Sequence, residues 1–178
     1  MEEQAVLVSL IGLIRDATAI VNKQYPNTIC IRASGNGKLE TIPQSYQFLF
    51  RAENQYAMYT INVTQNLKTG ELTWSPIAPF KPIVGVTGNL ARSTVDIYPA
   101  YKAIRQAGYQ DPVYFCSLFQ AESLGIHEPW YCFTPTDCHW VSAENYIFVN
   151  SLTGEVRLFP SDGSPAGLGA EAQEQPSA

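Results

Sequence analysis

Apolar residues recur at spacings of three and four from Val6 to Val21, where Leu7, Leu10, Ile11, Leu13, Ile14, Ala17 and Ile20 make one stripe. Arg15, Asp16, Asn22 and Lys23 stay off it. That period predicts an amphipathic helix of about 20 residues. Tyr25-Pro26-Asn27 ends it, because a proline disfavours the helical conformation of the residue before it. Strand composition follows at Thr28–Arg32, and Gly35-Asn36-Gly37 reads as a tight reversal into a short strand around Lys38–Ile42. Tyr46–Arg51 and Tyr56–Thr64 read as two longer strands with Glu53-Asn54 turning between them. Lys68-Thr69-Gly70-Glu71 is the next reversal and leads into Leu72-Thr73-Trp74.

The second half repeats this order. Asp96 is a candidate N-cap for a helix carrying Ile97, Tyr101 and Ile104, with Pro99 in the first turn and Gly108 as its end. Val113–Phe119, Trp130–Thr134, His139–Val141, Tyr146–Asn150 and Val156–Phe159 read as strands, with a turn at Pro135-Thr136-Asp137. Sliding the chain against itself by 84 residues aligns ten identical pairs, from Ser9/Ser93 to Pro76/Pro160, with the best match at Asn66/Asn150 and Thr69-Gly70-Glu71/Thr153-Gly154-Glu155. The same register sets Tyr46 on Trp130 and Tyr56 on Trp140. The expected fold is α+β: two repeats, each one helix packed on an antiparallel β-meander of four to five strands. The expected divisions are residues 1–76, a Pro/Gly-rich linker at 77–93, a second repeat at 94–160 and a disordered tail at 161–178.

Composition narrows the function. A chain of 178 residues with 46% hydrophobic and 12% aromatic residues can bury a real core. Eleven Lys and Arg against sixteen Asp and Glu give a net charge of −5, with the basic residues scattered. Nucleic-acid binding needs a clustered basic face, so it is not expected. No run approaches the length of a membrane span, and Met1-Glu2-Glu3-Gln4 lacks the positive start of a secretory signal, so a cytoplasmic protein is expected.

A helix followed by a meander closing on Thr-Gly-Glu, at Ala19-Ile20 with Thr69-Gly70-Glu71 and again at Ala103-Ile104 with Thr153-Gly154-Glu155, resembles PepSY-like modules. It is also similar to the cystatin-like tandem repeats of the bacterial β-lactamase-inhibitor-protein type. The resemblance implies binding to another protein, or inhibition of one, without catalysis. Such families usually sit outside the cytoplasm, and no functional residue carries over.

His127, Cys132, Cys138 and His139 form the densest set of candidate metal ligands, although their spacing lacks the two short pairs typical of a structural zinc site. Cys132 and Cys138 could instead pair as a disulfide across a hairpin, or remain thiols. A cysteine or serine nucleophile would need a base, an orienting group and oxyanion donors, which residues of one hairpin rarely supply. Gly35-Asn36-Gly37-Lys38 is followed by Leu39 and not by Ser or Thr, so it is a turn and not a phosphate loop. Tyr46, Tyr56, Trp130, Tyr131 and Trp140 are the interface candidates, because exposed aromatics anchor protein contacts. The sequence thus predicts a non-catalytic protein-binding module (inhibitor, immunity-like or assembly factor) using an aromatic sheet face, with no cofactor. The alternative is a small-ligand or metal-binding protein using the Cys/His hairpin. Oligomeric state is left open.

Overall fold

A computed structural model describes residues 8–38, 45–53, 56–122, 125–134 and 145–160. Helix α1 spans Leu10–Gln24, with Ser9 as its N-cap and Leu10, Leu13, Ile14, Ala17 and Val21 buried. Strands β1 (Thr28–Lys38), β2 (Ser45–Ala52), β3 (Met58–Gln65) and β4 (Leu72–Trp74) follow it. Next come β5 (Ala78–Phe80), β6 (Val86–Thr87) and a 3-10 turn at Leu90–Arg92, then α2 (Ile97–Gln106). The remainder is β7 (Tyr114–Ala121), β8 (Trp130–Thr134), β9 (Asn145–Asn150) and β10 (Val156–Pro160). No described helix is long and apolar enough to cross a membrane.

All ten strands among the described residues belong to one antiparallel sheet, ordered β10-β9-β8-β7-β1-β2-β3-β4, with β5 on β3 and β6 on β7. The join between its halves is the β1–β7 pair, where Arg32 faces Phe119 and Ser34 faces Ser117. This overturns the expectation of two repeats, each with one helix on its own four- to five-stranded meander. Each meander would have left its first strand as an open edge, and here those two edges satisfy one another. The core is shared as well. Leu13 and Ala17 of α1, Ile97 and Ile104 of α2, Phe48, Ile61, Phe115, Leu118, Tyr131 and Val149 belong to one apolar cluster, so both helices cover the same face. The segment 77–93 contributes β5 and β6 to the sheet and Leu90 to that cluster.

Gly35-Asn36-Gly37 is not the expected tight reversal. The chain does not reverse there: β1 continues to Lys38, and Gly37 pairs with Phe115. Gly35 is required for space. A Cβ at this position would lie 3.1 Å from the Phe115 ring and 3.2 Å from the Tyr46 ring. The strand expected around residues 38–42 falls mostly outside the described residues, as do the turn at 135–137, the strand at 139–141 and the tail at 161–178.

Two polar devices fix the ends of these elements. The Asp96 carboxylate caps α2 by accepting from the Ile97 N–H at 2.8 Å. It also accepts from the N–H groups of Leu10 (2.9 Å) and Ile11 (3.3 Å) and from the Ser9 hydroxyl. One negative group thus sits at two helix N-termini, where orphan donors and the helix dipole both favour it. The second device is the turn after β3 and again after β9. Asn66 Oδ1 accepts from Lys68 and Thr69 N–H, while Glu71 N–H donates to Thr69 Oγ1. Asn150 Oδ1 accepts from Leu152 and Thr153 N–H, while Glu155 N–H donates to Thr153 Oγ1. Gly70 and Gly154 close the two turns at φ 74 and φ 78.

Candidate functional site

Alternation along the strands sorts side chains between the helix face and an opposite face. On β2, Phe48 and Phe50 enter the helix-face core, and Leu49 between them joins a separate cluster with Ile31 and Met58. On β8, Tyr131 and Phe133 face the helices, and Cys132 joins Cys116, Phe119, Ile126, Trp130 and Phe148 on the other side. The opposite face therefore carries two apolar clusters, with Val86 packed against both.

Beside them runs a polar band. Ser117, Ser34, Gln47 and Asn62 are consecutive cross-strand partners over β7, β1, β2 and β3. The neighbouring row on the same face is Phe119, Arg32, Leu49 and Thr60. Ser34, Gln47 and Asn62, with Gly35, Ser45 and Tyr46, line an open concavity of about 430 Å³. A smaller cavity of about 280 Å³ lies elsewhere, between Tyr25, Asn27, Glu53 and Tyr59.

Two β-bulges place the polar groups. On β1 the register with β2 shifts between Cys30 and Arg32, so Ile31 and Arg32 together oppose Leu49. On β7 the register with β8 shifts between Phe115 and Ser117, with Cys116 as the extra residue. Strict alternation from Cys30 and Phe115, both on the helix face, would send Arg32 and Ser117 into the core. Each bulge advances the chain by one and turns the polar residue outward, the usual way a bulge re-aims a side chain.

Arg32 Nε and Ser117 Oγ are buried and have no hydrogen-bond partner among the described residues. Ser117 is only 2% exposed. Arg32 is half-buried, and loss of solvation holds its guanidinium below the usual arginine range. On the helix face, the Tyr46 phenol is pushed up by burial, then by Tyr98 and Asp96, so it stays protonated.

The five aromatic candidates do not form one face. Tyr46 lies on the helix face beside Phe48 and Phe115, with ring centroids at 6.4 and 6.3 Å. Tyr131 is also in that core, and its hydroxyl donates to the Val95 carbonyl at 2.8 Å. Trp130 is buried on the opposite face, with the Arg157 guanidinium 4.8 Å from its ring centroid. Tyr56 is 94% exposed at the β2–β3 turn. Trp140 lies outside the described residues.

Of the metal candidates, His127 is exposed, Cys132 is fully buried in β8, and Cys138 and His139 lie outside the described residues. No group of three or more His, Cys, Asp or Glu that could hold a metal occurs among the described residues. The sequence reading missed Arg32, Ser34, Gln47, Asn62 and Ser117. Its available signal was the alternation of Ser34 with Ala33 and of Gln47 with Phe48, obscured because Gly35-Asn36-Gly37 looked like the end of the strand.

Compared with protein-family models, curated proteins and solved structures, the chain matches none.

Proposed function

We propose that the chain is a non-catalytic protein-binding module, of inhibitor, immunity or assembly-factor type, which meets its partner with the polar band of the sheet. The observation that carries this reading is the row Ser34–Gln47–Asn62 on an open concavity of about 430 Å³. Its groups form and accept hydrogen bonds without transferring protons near neutral pH, as suits a recognition surface. An open sheet face offers area and register more readily than an enclosed reaction chamber. The resemblance of the two Thr-Gly-Glu hairpins to modules that bind proteins without catalysis points the same way. The cytoplasm suits Cys30, a fully buried thiol whose ionisation burial opposes.

The test is stoichiometric capture of a partner from the source organism, followed by calorimetry with Gln47→Trp and Asn62→Trp. These variants obstruct the band without removing core volume. The expected outcome is affinity lowered by at least about tenfold, with Tyr56→Ala near wild type. Unchanged affinity in both tryptophan variants would exclude this face.

A further inference from the structure

We propose that Arg32, together with the Ser34 and Ser117 hydroxyls, receives a carboxylate from the partner polypeptide. The inference rests on the protein-binding reading above and adds the chemistry of its anchor. The bulges at Ile31 and Cys116 lie on adjacent strands and turn a guanidinium and a hydroxyl to the same side of the β1–β7 seam. Ser34 stands directly across from Ser117 and two residues along β1 from Arg32. Both Arg32 Nε and Ser117 Oγ are buried donors without acceptors among the described residues. A buried donor left without an acceptor is costly, and native structures resolve that cost with water, an ion or a partner group.

Charge selects among these. Although the chain as a whole carries −5, the strand positions facing this side hold Arg32, Arg51 and Arg157 and no carboxylate among the described residues. Arg157 is committed to Glu155, with Nε to Oε1 at 2.7 Å. Arg32 has no such neutralising group among the described residues, so an incoming anion meets a positive centre within an acidic molecule. One guanidinium fork matches the two oxygens of one carboxylate. A phosphate dianion would leave excess negative charge beside a single arginine, so the site suits a monoanion.

The experiment is an NMR titration of the full chain with acetyl-Gly-Glu-Gly-amide. The peptide's Gln counterpart, sodium phosphate and sodium chloride at matched ionic strength serve as the other arms. The expected result is a saturable shift of the Arg32 Nε–H signal and of the Ser34 and Ser117 amides with the Glu peptide. Arg32→Gln should weaken this binding by about tenfold or more, and Arg32→Lys by less. Equal shifts from the Gln peptide or chloride, tighter binding of phosphate, shifts mapping elsewhere, or no saturation would each overturn the assignment. If Arg32→Gln does not fold, the wild-type shift map and Ser117→Ala decide. Loss of partner binding in the Gln47 and Asn62 variants with none in Arg32→Gln would sink the carboxylate site and leave the binding face standing.

Discussion

Asp96 accepts hydrogen bonds from Ser9, Leu10, Ile11 and Ile97, so removing its carboxylate leaves donors stranded at both helix starts. Asp96→Ala is expected to cost about 2–4 kcal/mol, more than a single N-cap, measured by urea denaturation. Asp96→Asn keeps an acceptor and should lose less. The phenols of Tyr46 and Tyr131 and the thiol of Cys30 make a complementary point about pH. Burial, the leading cause, raises all three, so the folded state keeps protons that the unfolded chain releases. Stability is therefore intact below about pH 8.5 and falls as pH rises through the unfolded values of roughly 8.5 for the thiol and 10 for the phenols. Denaturation midpoints from pH 7.5 to 10.5 would check this, and Cys30→Ala should delay the onset of the fall. A midpoint that climbs with pH would contradict it.

At the scale of elements, the two Asn-led turns share their hydrogen-bond pattern but not their surroundings. Asn66 is exposed, whereas Asn150 is buried and its Nδ2 also donates to Glu128 at 2.6 Å. Asn66→Ala should cost about 1 kcal/mol and Asn150→Ala about 2–3 kcal/mol, a difference readable from paired thermal melts. Gly35→Val, which forces the Tyr46 and Phe115 rings apart, should destabilise by roughly 1–3 kcal/mol, and Gly35→Ala by less. Such local units were well marked in the sequence. The Pro26 stop, the Asp96 cap, Leu72–Trp74 and Trp130–Thr134 stand where periodicity and turn chemistry put them. The aromatic face was not legible, for a specific reason. The gapless 84-residue register pairs Tyr46 with Trp130, but Tyr46 faces the helices and Trp130 faces away, as a one-residue slip in a strand requires. Nothing local announces the bulges at Ile31 and Cys116, because an extra residue in one strand has meaning only against its partner.

For the whole molecule, the shared core replaces the picture of two bodies joined by a linker. Trp74 in β4 and Trp130 in β8 sit in different halves of the sheet. Their fluorescence should nevertheless report one coincident unfolding transition, tested with single-tryptophan variants in which the other two are Phe. Two separated midpoints would show that the seam is weaker than the halves. The seam escaped the sequence because strand order is not encoded in periodicity. Both β1 and β7 have the composition of ordinary strands, and their pairing with each other is a long-range choice.

That seam also sets the order in which the molecule can be made. Ser34 must wait for Ser117, roughly 80 residues later in synthesis, before β1 gains its second neighbour, and such distant pairings close slowly. Until then the nascent first half displays an unsatisfied row of backbone donors and acceptors along β1. A fragment ending near Ser93 would retain that row permanently and would pair β1 with β1 of another copy, while the full-length chain buries it internally.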